Sequence, residues 1–279
     1  MVVNKLQNGT ISRVEFEVLQ YLDGRLYEET ARGRFSSLDT HLDPNHQDFN
    51  LRLEVNTHLR DAVNSYIEQN IEYLKQQDKI RVIELGASMG AISSLYVLDG
   101  LYKTELADKV ELTLLDICRE PLERTIGLYF DLQTIYEKAD FSIPVENLRK
   151  ILQNARIVEE NALETKQPDN SYTISLAAFT HHHLNIYDKE NACRELERIT
   201  TKNGGIIVGD LIFSYDEFVN WLRKHQAERN SQGQRVPYAV ESFVSLEQHQ
   251  DFFRNSSTVF KRQYPQHYVF AMQRGGENV

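Results

Sequence analysis

The stretch that decides the fold is Ile80–Leu98, IRVIELGASMGAISSLYVL. A β-branched run from Ile80 to Leu85 stops at Gly86, small residues follow to Gly90, and Ala91 to Leu106 reads as a helix. A strand, a tight small-residue loop and a helix form the opening unit of an open α/β sheet. Such sheets hold their ligands at the carboxyl ends of the strands, beside the first crossover. Small side chains let a ligand approach the loop backbone, and the helix N-terminus offers free N–H groups to an anion.

Working outward, strands and helices keep alternating. Val110–Leu115 is a second strand ending at Asp116, and Pro121 opens a helix to about Glu137, in the first turn where its missing N–H does no harm. Residues 138–153 read as an insertion with a short helix. Ala155–Val158 is a weak third strand and Tyr172–Ala177 a fourth. A helix spans Asp188–Thr200, with Gly204-Gly205 expected to stop it, and Ile206–Phe213 is a fifth strand. Asp216–Arg229 is a helix, residues 230–238 a polar loop, and Ser245 with Gln248 fits a capping box for a short helix to Phe253. The last strands, Thr258–Gln263 and Tyr268–Gln273, flank a turn at Pro265 and must be antiparallel, because so few residues join them. The alternation predicts an α/β, Rossmann-like sheet, mostly parallel with an antiparallel last strand.

The first 78 residues differ. Val14, Val18, Leu19 and Leu22 follow helical spacing, 28–50 is polar and turn-rich, and Leu51 to about Leu74 is again helical. The reading is an N-terminal helical cap on the acceptor side (1–78) before the main domain (79–279).

Composition narrows the function. Among 279 residues, 31 Lys and Arg face 41 Asp and Glu, a net charge of −10. An acidic chain whose longest basic runs are Arg223-Lys224 and Lys261-Arg262 repels phosphate backbones, so no nucleic-acid partner is expected. The longest apolar stretch, Gly204–Phe213, contains Asp210 and falls short of the roughly 20 residues of a membrane span. The N-terminus lacks a secretory h-region, and Cys118 and Cys193 cannot frame so long a chain with disulfides, so a cytoplasmic protein with a small-molecule partner is predicted.

Three chemistries compete for the loop. A dinucleotide fingerprint would need glycine at positions 88 and 91, where the chain has Ser88 and Ala91. Gly86-x-Ser88-x-Gly90 matches a hydrolase nucleophile elbow, and Asp210 and His267 follow in the order Ser, Asp, His. That elbow belongs after several strands, whereas this loop follows the first. The third candidate is a methyl-donor site. Glu84-Leu85-Gly86-Ala87-Ser88-Met89-Gly90 resembles the loop of class I S-adenosylmethionine-dependent methyltransferases, E/D-x-G-x-G/S-x-G, although many members have glycine where Ser88 stands. Asp116 resembles the acidic residue that holds the ribose hydroxyls, at a longer separation than usual (116 − 84 = 32). Glu160-Asn161-Ala162 resembles the segment near the adenine, and SYTISLAAFTHHHL and GGIIVGDLIF resemble the fourth- and fifth-strand motifs.

The resemblance covers roughly residues 79–273. It implies S-adenosyl-L-methionine as cofactor, S-adenosyl-L-homocysteine as product, and a binding set of Glu84, Gly86, Ala87, Ser88, Gly90, Asp116, Ile117, Asn161, Ala162 and Ala178. Taken alone, Glu84 is equally a solvated strand end, and Asp116 equally a helix N-cap. Length and the FTHHHL segment also resemble the O-methyltransferases of cyanobacterial mycosporine pathways, which make 4-deoxygadusol. That likeness implies a polyhydroxylated cyclohexenone as acceptor. A cofactor-holding module without turnover is the alternative outside enzymes.

His181, His182 and His183 are the candidate catalytic residues, with His182 favoured as the base for an acceptor hydroxyl. Adjacent extended residues point opposite ways, so the three are not expected to share one ligand. The spacing of His181, His183 and Asp210 matches no strong zinc pattern, so no metal is expected there. Tyr27, Arg34, Phe35, His41, His46, Tyr215, Trp221 and Tyr238 are candidates for the acceptor pocket.

Overall fold

A computed structural model describes residues 47–87, 91–119, 122–123, 140–212 and 244–275. In chain order these form α1 (Gln47–Gln69), α2 (Ile71–Gln76), β1 (Ile80–Leu85), α3 (Ala91–Lys103), β2 (Val110–Asp116), α4 (Val145–Gln153) and β3 (Arg156–Glu159). Then come β4 (Tyr172–Ala178), a 3-10 turn at His181–His183, α5 (Ile186–Ile199), β5 (Thr200–Leu211), α6 (Leu246–Asp251), β6 (Ser256–Gln263) and β7 (His267–Arg274). Among the described residues, no helix is long and apolar enough to cross a membrane.

The strands make one seven-stranded sheet in the order β3-β2-β1-β4-β5-β7-β6. β1 pairs in parallel with β2 and β4, whereas β7 runs antiparallel to both β5 and β6. This is the expected Rossmann-like sheet. Its order reverses between β1 and β4, which opens a crevice at their carboxyl ends.

Strand alternation splits the core in two. Val82, Leu114, Leu176, Ile207 and Val269 face α1 and α3, while Ile83, Leu115, Ala177, Val208 and Phe270 face the side of Leu196 and Leu246, on α5 and α6. α1 carries apolar residues at helical spacing, Val55, Leu59, Val63, Tyr66 and Ile67, all buried in the first of these cores. The second half of the expected cap region therefore shares a core with the sheet. Gly205 shows how closely α1 approaches: a Cβ there would lie 2.6 Å from the Tyr66 ring.

Two boundaries differ from the sequence reading. The helix expected at 51–74 breaks at Asn70, whose side chain turns back to donate to the Tyr66 carbonyl. Gly204-Gly205 does not stop α5. The helix ends at Ile199, and both glycines lie inside β5. The turn signal has a cause all the same, because Tyr172 pairs with Thr200 and Ile174 with Gly205. The extra residues bulge out through Asn203 at φ +64°. Ser245 caps α6 by accepting from the Gln248 N–H at 3.1 Å, as the capping box predicts. The helical readings at 14–22 and 216–229, and nearly all of that at 121–137, lie outside the described residues.

Candidate active site

The crevice is built from four strand ends. β1 runs into Gly86, whose φ of +67° suits a residue without Cβ. A Cβ at this position would lie 2.9 Å from Thr180 Cβ, and closer still to Cγ2 and Oγ1. Thr180 follows β4, and its hydroxyl lies within hydrogen-bonding distance of three carbonyl oxygens: Ala178 at 3.0 Å, Leu85 at 3.2 Å and Gly86 at 3.4 Å. Thr180 thus clamps the β1 loop to the β4 end. Sequence reasoning missed it, and the signal was there: Gly86 and Thr180 both sit just past strands that must be neighbours. The next backbone contact, from the Ala87 N–H to the Leu115 carbonyl at 3.0 Å, ties the loop to β2 on its other side.

Asp116 ends β2, buried at 7% exposure. Its Oδ1 accepts from the Cys118 N–H at 2.9 Å, which fixes the carboxylate in the turn that carries half-buried Ile117. Its carbonyl accepts from the Glu160 N–H at 3.0 Å, so the ends of β2 and β3 move as one. Asn161 turns its own loop by accepting from the Leu163 N–H at 3.0 Å, with Ala162 half-buried beside it. Ala178 is buried at the end of β4. The structure therefore brings Gly86, Ala87, Asp116, Ile117, Asn161, Ala162 and Ala178 to neighbouring strand ends.

Ser88 and Gly90 lie outside the described residues. So do Tyr27, Arg34, Phe35, His41, His46, Tyr215, Trp221 and Tyr238. Glu84 sits at the right place in β1 but faces α3. Its Oε2 accepts from the Ser94 N–H at 3.1 Å and from the Ser94 hydroxyl. One carboxylate oxygen is thus committed to holding strand and helix together.

The three histidines form a 3-10 turn rather than the extended segment expected. His182, 5% exposed, shares a 2.6 Å hydrogen bond from Nδ1 to Asp210 Oδ1. Burial alone would raise the Asp210 carboxyl, but the charge and hydrogen bond of His182 outweigh it and hold the group below the usual carboxylate range. Because Asp210 accepts, His182 carries a proton on Nδ1. His183 is half-buried and packs against the His182 ring at 3.9 Å between centroids. Phe179 enters this turn at φ +52°, with its N–H held by the Gly209 carbonyl at 2.9 Å. An aromatic residue at positive φ costs on the order of 1–3 kcal/mol, and such strain concentrates at working sites.

His181 does not fit a catalytic role. It is 1% exposed and bonded through Nδ1 to His249 Nε2 at 2.7 Å, and His249 in turn bonds the Tyr268 hydroxyl at 2.6 Å. Burial lowers the His181 pKa to about 4.

The hydrolase triad does not form. Asp210 pairs with Tyr268 across β5 and β7, and His267 pairs with Leu211, so their side chains leave opposite faces of the sheet. The grouping of His181, His183 and Asp210 does not form either, since Asp210 holds His182. A cavity of about 730 Å³ opens at the other, amino-terminal end of the strands. Its Lys79 and Arg81 both bridge to Glu111 at 3.3 Å.

Known proteins resemble this chain in part. A family described as "Methyltransferase domain" matches residues 99–208. No curated protein matches the chain. A possible exported protein from Bordetella parapertussis aligns with a TM-score of 0.50 at 10% identity, over 80% of this chain and 68% of that one. The YcgJ protein of Bacillus subtilis aligns with a TM-score of 0.46 at 15% identity, over 76% and 98%. A SAM-dependent methyltransferase from Methanosarcina mazei gives 0.45 at 14%, over 74% and 98%. The central segment of this chain is similar to a methyltransferase domain, set in a Rossmann-like sheet with its crevice at the carboxyl ends of β1, β2 and β4.

Proposed function

We propose that the chain transfers a methyl group from S-adenosyl-L-methionine to a hydroxyl oxygen of a small molecule. The observation that carries this is the meeting of Asp116 and the Gly86 turn at the switch point of the sheet, with Asp116 inside the segment 99–208 that is similar to a methyltransferase domain. A carboxylate at a strand tip suits two vicinal ribose hydroxyls, each of which can donate to it. Gly86 and Ala87 leave the loop backbone approachable, and Asn161-Ala162 would flank the adenine. Glu84 would accept from the ammonium, directly or through water, with the carboxylate whose Oε2 also serves Ser94.

The donor, when bound, supplies an electrophilic methyl group on a sulfonium. Residues of this chain do the rest. Transfer to a neutral hydroxyl needs a proton acceptor as the O–C bond forms and the S–C bond breaks. His182 takes that proton at Nε2, and Asp210 stabilises the imidazolium through Nδ1. Positioning supplies much of the remaining acceleration, because an in-line displacement gains from orientation alone. Polyhydroxylated rings, including the cyclohexenones of the mycosporine pathways, suit this base and the acidic surface of the chain.

Calorimetry with S-adenosyl-L-homocysteine tests the cofactor. Wild type should bind one equivalent and Asp116→Ala at least ten-fold more weakly. No binding by wild type refutes the proposal. A panel of hydroxylated acceptors, read for a gain of one methylene, tests the transfer. Binding without turnover on any acceptor favours the cofactor-holding module.

A further inference from the structure

Away from the crevice, on the opposite face of β5 and β7, a second group of chemically active side chains comes together. Glu54 and His58 lie four residues apart on α1, which stacks them one turn apart on one helix face. His267 opens β7 beneath them. His58 Nδ1 and His267 Nε2 are 2.8 Å apart, and the ligand atoms of Glu54, His58 and His267 all lie within 4.8 Å of one another. Glu54 is exposed, His58 half-buried and His267 buried, so the group opens to water on one side only.

The two imidazoles are nearly coplanar, at 13°, and both lie on the face of Tyr264, with centroids 3.8 Å (His58) and 4.5 Å (His267) from its ring. They meet edge to edge, which directs one ring nitrogen of each into the same gap. Tyr264 is held in turn by a backbone bond to His267 at 2.8 Å and by Arg262 over its ring at 5.3 Å. Its hydroxyl is buried without a hydrogen-bond partner among the described residues.

We propose that Glu54, His58 and His267 bind one divalent transition-metal ion of the zinc type. Two neutral imidazoles and one carboxylate form a donor set that suits zinc, iron(II) or cobalt(II) and disfavours magnesium and calcium. Two nitrogens each about 2.0–2.1 Å from a metal stand about 3.0–3.4 Å apart, so the observed 2.8 Å gap needs to widen by only a few tenths of an ångström. Binding shifts the shared proton to the far nitrogen of the ring that holds it, so both rings stay neutral, and the exposed side leaves room for water as a further ligand.

A rival cluster exists. His181, Cys193 and His249 also place their ligand atoms within 4.8 Å of one another. That group is entirely buried, and its two imidazoles already belong to a chain of hydrogen bonds ending at Tyr268. The Lys189 ammonium, which donates to the His181 carbonyl, adds positive charge where a cation would sit. The outer cluster has access, a compensating carboxylate and no such cation among its ligands.

The test uses the full chain, freed of metal with a chelator and then titrated with cobalt(II) and zinc(II). One equivalent of cobalt should bind and give visible d–d bands without an intense thiolate charge-transfer band. His58→Ala should abolish uptake, and Glu54→Gln, an exposed change that leaves folding alone, should weaken it at least ten-fold. His249→Gln should bind as wild type does. The absence of saturable binding, binding that survives His58→Ala unchanged, or a thiolate band from Cys193 overturns the proposal. Binding of S-adenosyl-L-homocysteine is measured separately, so loss of one property is not mistaken for loss of the other.

Discussion

Substituting Gly86 by alanine probes the clamp at the head of the crevice. Two costs add. An L-residue in the left-handed region at φ +67° costs about 1–2 kcal/mol. The new methyl group also enters space held by Thr180, with Thr180 Cβ only 2.9 Å away and the rest of the side chain closer. Thr180 must rotate, giving up its contacts with Leu85, Gly86 and Ala178, at about 1 kcal/mol net, on top of an overpacking cost of about 1–3 kcal/mol. Gly86→Ala should therefore destabilise the fold by about 3–6 kcal/mol and lower Tm by on the order of 10 °C for a chain of this size. The double variant Gly86→Ala, Thr180→Ala separates the terms. Thr180→Ala alone should cost about 1 kcal/mol, and in the double variant the contacts with Cγ2 and Oγ1 disappear while the 2.9 Å approach of Cβ and the backbone cost stay. The two changes should then couple favourably by about 1–3 kcal/mol. Urea unfolding of the four proteins measures this, with calorimetry on S-adenosyl-L-homocysteine as the functional counterpart. A Gly86→Ala protein as stable as wild type, or a double variant no better than the sum of the singles, would refute the clamp.

Asp210→Asn should destabilise the protein at pH 7 by about 2–4 kcal/mol, since His182 loses a charged acceptor inside the fold. Because the folded Asp210 carboxyl is held below its ordinary 3.8, its contribution is full above that pH and fades as pH falls further; acid unfolding curves of the variant should lack that limb. His181, lowered to about 4 from 6.5, stays neutral in the fold while its unfolded counterpart charges. Stability should thus fall as pH drops from 6.5 towards 4, by up to about 1.4 kcal/mol per pH unit for this group, and His181→Gln should shed that slope when urea midpoints at pH 7 and pH 5 are compared. Gly205→Ala places a methyl group 2.6 Å from the Tyr66 ring; a loss of about 1–3 kcal/mol in thermal unfolding is expected, and an unchanged midpoint would show that α1 can slide.

Much of the sheet was legible because each strand carries its own mark. β1, β2 and β4 are buried on both faces over most of their length and read as short runs dominated by apolar residues, the pattern of parallel strands under helices. The misread places are those where tertiary contact overrides a local signal. Asn70 breaks a helix whose apolar spacing continues past it, because its side chain satisfies the Tyr66 carbonyl. Gly204-Gly205 looked like a helix stop, yet the second glycine is there because α1 crosses β5 against Tyr66. Composition within a window of ten residues cannot contain a contact 139 residues away (205 − 66).

The site divides the same way. Gly86 and Asp116 lie at the ends of recognisable strands, so a pattern of strand and loop locates them. Partnerships between His182 and Asp210, or His58 and His267, depend instead on which face each residue leaves, and that follows from register alone. Asp210, His267 and Ser88 stand in a triad's sequence order, yet β5 and β7 pair Asp210 with Tyr268 and Leu211 with His267. One residue of offset sends Asp210 towards His182 and sends His267 through the sheet to α1. A shift of β7 by one position against β5 would turn His267 off the α1 face and disperse the cluster at Glu54, while Asp210, held on β5 by the pairing with β4, would keep His182. The His182–Asp210 pair thus rests on the parallel β4–β5 alignment and the His58–His267 pair on the antiparallel β5–β7 one, and the order of these residues along the chain carries no trace of either.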